Sequence, residues 1–248
     1  DAGLKSLRGL KHIGSLTLNE TAVTDAGMEH IGSLTSLGGI DLVHTGVGDE
    51  GMRHIAGLRN LDYLVIRRTQ VTDAGFQHLA DLTELTRLIA ENTPSGDAGL
   101  EHIRGLIKIR ELNVGKLTTD DGLKHLSQLK QLRNLSLSLS QVTGTGLVHL
   151  KGLRNLTDLN LTSSAITDSE VIRLRDLPSL RKLELTATGI TDEGLESLKD
   201  LPLTKLTLHQ TQITDTGLES LKTLKQLEEL SVANTKVTAS AVQQFSKE

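Results

Sequence analysis

The chain has 248 residues, and its 27 Lys and Arg against 31 Asp and Glu leave a formal charge of −4, which argues against nucleic acid as a partner. One Tyr, two Phe and no Trp offer almost nothing for a base or sugar ring to stack on, and the absence of Cys excludes a disulfide framework, a thiol nucleophile and a Cys-ligated metal. Hydrophobic residues make up 37%, so a core is affordable, but it has to be aliphatic.

The sequence opens DAGLKSLRGL, with neither an initiator Met nor an apolar leader, and reads as a piece of a longer protein whose compartment it does not specify. The phrase TDAGM at Thr24 returns as TDAGF at Thr72, GDAGL at Gly96, TDDGL at Thr119 and TDEGL at Thr191. Units begin at 24, 48, 72, 96, 119, 143, 167, 191, 214 and 238, so the period is 24 with two intervals of 23. Residues 1–248 thus read as one domain of ten repeats plus a C-terminal half-repeat.

Within a unit the hydrophobic period changes midway. In Thr24 to Val47, Met28 and Ile31 lie three apart, Leu34 and Leu37 follow, and Ile40 and Leu42 alternate, so helix gives way to strand. The entering Thr-Asp pair, as Thr24-Asp25, is expected to supply a side-chain oxygen to the first-turn N–H groups of its own helix and an anion that suits the helix dipole, a device repeated at Asp49, Asp73, Asp97, Asp120, Asp168, Asp192 and Asp215. Gly two residues later (Gly27, Gly51, Gly75 and others) is a poor helix former, and its recurrence predicts close approach between stacked units. A unit this small cannot cover its own apolar side. Stacking aligns short strands in parallel with right-handed helical crossovers, and turns Leu16/Leu18, Ile40/Leu42, Leu64/Ile66, Leu135/Leu137, Leu159/Leu161 and Leu183/Leu185 inward. The longest uncharged run, Asn134 to Leu150, is interrupted by Ser, Thr and Gly, and no membrane insertion is expected.

Stretches such as Leu156-Thr-Asp-Leu-Asn-Leu-Thr-Ser-Ser164-Ala-Ile166 follow L-x-x-L-x-L-x-x-N/T-x-L, and the chain resembles the leucine-rich repeat family along its whole length. The T-D-x-G-L extension resembles the repeat class of many bacterial proteins, notably from planctomycetes, and of F-box-associated leucine-rich proteins. The resemblance implies an α/β solenoid: a right-handed, curved β-α superhelix with its parallel sheet on the concave face and short helices on the convex face. It also implies a hydroxyl ladder bonding adjacent turns (Thr21, Thr45, Thr69, Thr93, Ser140, Ser164, Thr188, Thr211, Thr235), and binding of a protein partner on the concave sheet.

Departures from the repeat locate function or drift. Between Asn92 and Thr119 the unit is one residue short, Pro94 enters, and Ser95 fills an apolar slot, which predicts a loop outside the ladder and a local shift in the stack. On the exposed strand face the second half is mostly small and polar (Asn134, Ser136, Ser138, Asn160, Thr162, Thr186, Thr207, Ser231). The third to fifth units differ: Val43, His44, Tyr63, Val65, Arg67, Arg68, Arg87, Ile89, Glu91 and Glu111 group the only Tyr with Arg and exposed aliphatics. Tyr and Arg are enriched at binding hot spots, so these ten residues form the candidate partner-binding face. The competing reading makes Arg67–Glu91 and Arg87–Glu111 cross-strand ion pairs on a solvated surface, with Val and Ile present as strand formers.

Catalytic and cofactor chemistry finds no home. His30, His54, His78, His102, His125 and His149 recur at one helical position, read as exposed, but helices spaced about 10 Å apart do not converge on a metal. G-x-S-x-G, H-E-x-x-H and G-x-x-x-x-G-K-[ST] are absent, so no enzyme activity and no cofactor are expected. The N-x-[ST] triplets at Asn19, Asn134, Asn155 and Asn160 follow mostly from the repeat wording. Two functions remain: a protein-binding scaffold, or a spacer with an inert concave face that associates end to end through uncapped termini.

Overall fold

The computed structural model describes residues 1–245. Ten three-residue strands, β1 (Ser15–Thr17), β2 (Gly39–Asp41), β3 (Tyr63–Val65), β4 (Arg87–Ile89), β5 (Glu111–Asn113), β6 (Asn134–Ser136), β7 (Asp158–Asn160), β8 (Lys182–Glu184), β9 (Lys205–Thr207) and β10 (Glu229–Ser231), form one parallel sheet in chain order. The sheet is open and curved, and a short helix separates successive strands. Leu64 pairs with Ile40 and Leu88, and Leu112 with Leu135, so the register follows the 24- and 23-residue spacing of the sequence.

The apolar columns behave as their periodicity predicts. Met28, Ile31, Leu37, Ile40 and Leu42 are fully buried, as are their counterparts Met52, Ile55, Leu61, Leu64 and Ile66. Leu16 and Leu18 depart from this: they lie on the first strand with no preceding repeat against them and are only partly buried. Leu230 and Val232 on the last strand are partly buried for the corresponding reason.

The helical segments are irregular. Asp25–Ile31, Asp49–Ile55 and Asp97–Ile103 are α-helices of seven residues, whereas Asp120–Gln128 and Thr145–Leu150 are 3₁₀. Each is one to three turns long, too short to stand alone, and is held by the buried side facing the sheet.

The recurrent Asp does not cap its own helix as expected. Its carboxylate reaches the following repeat: Asp25 accepts from the Gly48 and Gly51 N–H groups (2.6 and 2.9 Å), Asp49 from the N–H and hydroxyl of Thr72 (both 2.7 Å), and Asp168 from those of Thr191 (2.9 and 2.6 Å). In most repeats donors at the helix start are thereby met by the preceding unit, and the hydroxyls of Thr72, Thr119, Thr191 and Thr214 accept from an N–H of their own first turn. The recurrent Gly follows from this contact. A Cβ on Gly51 would lie 2.7 Å from Asp25 Oδ1, and one on Gly75 would lie 2.6 Å from Asp49 Oδ1, so the close approach predicted from the glycines is the seat of the carboxylate.

After each strand a single residue turns the chain in the left-handed conformation: Glu20, His44, Arg68, Asn92, Leu139, Ser163, Ala187, Gln210 and Asn234, with φ between 53° and 59°. The N–H groups of Glu20, His44, Arg68, Leu139, Ser163, Ala187 and Gln210 bond the next repeat, as His44 to the Arg67 carbonyl (2.9 Å) and Arg68 to that of Glu91 (3.0 Å), which offsets the cost of that conformation. The shortened unit has no such residue after β5. Its deletion falls in this turn, and the strand register runs on unbroken from β4 through β6, so the expected shift in the stack does not reach the sheet. Pro94 lies in a bend outside the strands, as its missing N–H requires.

Candidate functional site

Alternation along each strand turns one residue into the core and its neighbours outward, so the outward residues form columns across the sheet. One runs Gly39, Tyr63, Arg87, Glu111; the next runs Asp41, Val65, Ile89, Asn113. Tyr63 is half-buried because its ring lies over Gly39, where any Cβ would fall within the ring. Val65 stands beside Ile89, both half-buried, and this pair is the apolar centre of the group. One step further out, Val43, Arg67 and Glu91 continue the outward alternation. His44 and Arg68 are exposed in the left-handed turns at the margin rather than on strands.

The charges on this surface are paired. Arg87 Nε donates to Glu111 Oε2 at 2.7 Å, and Arg67 Nε lies 3.4 Å from Glu91 Oε2. Glu91 also accepts from Asn113 Nδ2 (3.0 Å) and Ser136 Oγ (3.2 Å), so it spans from β4 towards β6. Both ion pairs anticipated by the competing sequence reading are therefore present, and exposed pairs of this kind contribute about 0–1 kcal/mol. The remaining arginine of the group, Arg68, has no ion pair among the described residues.

Beyond β5 the same face sinks into a depression of about 430 Å³ lined by strand residues from Asn113 to Glu229. Its charged members were not singled out from sequence: Lys182 bonds Asp158 (2.9 Å), Lys205 bonds Glu229 (2.7 Å), and Glu184 stands in the neighbouring outward column. The hydrogen bond and charge of Glu229 raise the Lys205 ammonium above its ordinary range, and the same contact lowers the Glu229 carboxyl. The signal was available. Aligning the first residue of each strand gives Glu111, Asn134, Asp158, Lys182, Lys205 and Glu229, a charged column rather than a small polar one.

The histidine column differs from its expected exposure. His30, His54, His78 and His125 are half-buried between neighbouring helices, while His102 and His149 are exposed. Burial lowers the His125 pKa against the opposing influence of Glu101. Among the described residues no group of three or more His, Asp or Glu side chains is placed to hold a metal ion.

A family model described as a leucine-rich repeat region matches residues 1–218. The chain belongs to the leucine-rich repeat family. Among solved structures, an internalin (inlF) from Listeria monocytogenes matches with a TM-score of 0.75 and 25% identity over 93% of this chain, and internalin C2 from the same organism with 0.61 and 28% over 85%. The chain spans 64% of the inlF structure and 84% of that of internalin C2. The leucine-rich repeat ectodomain of the plant receptor kinase GASSHO1/SCHENGEN3 from Arabidopsis thaliana, solved in complex with CASPARIAN STRIP INTEGRITY FACTOR 2, has the same fold at 16% identity, with a TM-score of 0.61 over 97% of this chain and 38% of its own. No curated protein sequence matches the chain. Leucine-rich repeat proteins commonly mediate protein–protein interaction and are typically non-enzymatic binding scaffolds.

The hydroxyl ladder implied by the family resemblance takes a different form in this leucine-rich repeat array. Thr45 Oγ1 donates to the Leu42 carbonyl (2.9 Å), Thr69 to Ile66 (2.6 Å) and Ser164 to Leu161 (2.7 Å), each three residues back in its own turn. These bonds close the turn after the strand rather than joining adjacent repeats, and the joining falls to the Asp carboxylates. No helix among the described residues is long and apolar enough to cross a membrane.

Proposed function

We propose that the chain is a non-enzymatic scaffold that receives a protein partner on the concave sheet face, centred on Tyr63, Val65, Arg67, Arg87 and Ile89 and bordered by Val43, His44, Arg68, Glu91 and Glu111. The observation that carries this reading is the Val65–Ile89 pair, an aliphatic centre open to solvent and ringed by Tyr63 and charged side chains on an otherwise polar sheet. Apolar centres with a polar rim are the anatomy of interfaces, and Tyr and Arg supply anchoring contacts. The reading needs no metal or cofactor. It extends to residues 1–248 as one repeat domain, of the T-D-x-G-L class found in bacterial and F-box-associated proteins.

The test is capture of partners from a lysate of the source organism on immobilised protein, with the bound proteins identified by mass. Tyr63→Ala combined with Arg67→Glu is expected to abolish enrichment of a partner that the parent retains, while the circular dichroism spectrum shows the repeat fold kept, because both side chains lie on the outward face of the sheet. Equal capture by parent and variant overturns the concave-face assignment and favours the inert spacer.

A further inference from the structure

Several charges on adjacent repeats are matched. Besides the concave pairs, Lys108 meets Glu84 (2.6 Å) and Lys151 meets Asp176 (3.2 Å) along the edge where helices hand over to strands. On that edge, in the middle of the stack, cations are concentrated without acids beside them. Residues 104–110, 128–133 and 151–157 contain seven Lys and Arg and no Asp or Glu, in a chain whose net charge is −4. Three of the seven reach acids elsewhere: Lys108 and Lys151 as above, and Arg104 at 3.6 Å from Glu101. The other four, Arg110, Lys130, Arg133 and Arg154, are exposed and have no acidic partner among the described residues.

Arg110 and Arg133 hold the same place in successive repeats, with the Arg133 N–H bonded to the Arg110 carbonyl at 2.8 Å. Together with Gln131 and Asn155 they line a notch of about 240 Å³. Asn155 Nδ2 is anchored on the Lys130 carbonyl (2.8 Å), which fixes its amide at the rim. The nearest carboxylates in sequence are committed: Glu111 to Arg87, and Asp158 to Lys182 and the Thr157 hydroxyl (2.7 Å). Like charges at the entries of neighbouring strands repel, so two unpaired guanidiniums about 5 Å apart in backbone spacing are unfavourable until an anion lies between them.

We propose that this edge docks an acidic segment of a protein partner, with one carboxylate entering the notch between Arg110 and Arg133 and a second meeting Lys130 and Arg154. An extended peptide presents alternate side chains on one face about 6.6 Å apart, so successive carboxylates can meet different cations of these two rows. Its backbone can also use the Gln131 and Asn155 amides. Ile107, 58% exposed at the position one repeat before Lys130, adds an apolar contact suited to a peptide, while the lack of aromatic rings removes the stacking that a sugar chain or bases require. The proposal rests on the protein-binding reading but uses a surface apart from the Tyr63 group, so either can fail alone.

The experiment measures binding of fluorescently labelled hexaglutamate at low ionic strength to the parent, to Arg110→Gln/Arg133→Gln and to Tyr63→Ala/Arg67→Glu, after circular dichroism has checked that all three are folded at the working temperature. The expected result is saturable binding that weakens at least about tenfold in the Arg110/Arg133 variant and is unchanged in the Tyr63/Arg67 variant. Equal affinity for parent and Arg110/Arg133 variant overturns the proposal. So does Arg110/Arg133-dependent binding of a heparin hexasaccharide or of inorganic phosphate with none of hexaglutamate, which would assign the notch to sulfate or phosphate instead.

Discussion

Asp120 shows how much one side chain does in this array. Its carboxylate accepts from the Thr143 hydroxyl and N–H, the Gly144 N–H (3.1 Å), the Thr145 hydroxyl (2.9 Å) and the Gly146 N–H (2.9 Å), all in the next repeat. Burial alone would push its pKa up, but the hydrogen bonds outweigh burial and hold it below the ordinary aspartate value. A folded-state pKa below the unfolded one means stability that is present above about pH 4 and is lost as pH falls through the lower, folded value. Asp120→Asn removes the charge and half the acceptor capacity, so it is expected to cost about 1–3 kcal/mol at neutral pH in urea unfolding. The gap from the parent should narrow as the pH drops below about 4; a gap that is constant with pH counts against this account.

The same contact explains the one place where the repeat wording is exchanged. The unit beginning at Thr143 has Gly144 where its neighbours have Asp, and the next has Glu170 where its neighbours have Gly. Glu170 bonds the hydroxyls of Ser169 and Thr167 (both 2.6 Å), which lowers its pKa, and a Cβ on Gly144 would meet Glu170 Cβ at 2.6 Å. The carboxylate has moved from one side of the seam to the other, and the glycine has moved in the opposite direction. Gly144→Asp alone should destabilise, through this overlap and through the φ of +107° that favours Gly. Adding Glu170→Gly should recover part of the loss, and a double-mutant cycle is expected to show coupling of about 1–3 kcal/mol. Additive effects would show that the two positions do not form one unit.

At the scale of the element, the shortened repeat carries a cost that its neighbours avoid. The residue entering each helix is Val or Ile in most units, as Val47, Val71, Val142 and Ile166, all buried. On either side of the deletion it is Ser95 and then Thr118. Ser95 Oγ pairs with Thr93 Oγ1 (2.8 Å), and Gly115 leaves it room. Thr118 is fully buried and its Oγ1 has no hydrogen-bond partner. A buried hydroxyl without a partner is destabilising, so Thr118→Val, close to the same shape, is expected to raise stability by about 1 kcal/mol, read as a higher urea midpoint with unchanged slope. A lower midpoint would show that the hydroxyl is satisfied.

For the whole molecule, the fold was legible because two periods, 3.6 and 2, recur at a fixed interval, and each copy repeats the evidence of the last. The partners of polar side chains were not legible. Asp25 stands next to the N–H groups of its own helix in sequence, and only the stacked geometry shows that those of Gly48 and Gly51 are nearer in space. The exposed columns were half legible. Arg67–Glu91 and Arg87–Glu111 follow from register, whereas Asp158, Lys182 and Lys205 were hidden by attention to the small polar residues beside them, and the way Tyr63 lies down on Gly39 needed coordinates.

The groups that tie one turn to the next are buried Leu, Ile and Val, backbone amides, and carboxylates set at the helix starts, and almost none of them lies on the outward side of a strand. Gly39 beneath Tyr63 is a rare point of overlap. Selection can therefore rewrite the outward residues of any strand with little penalty to the frame, and a change of binding preference and a change of durability become largely independent events in the history of such a chain.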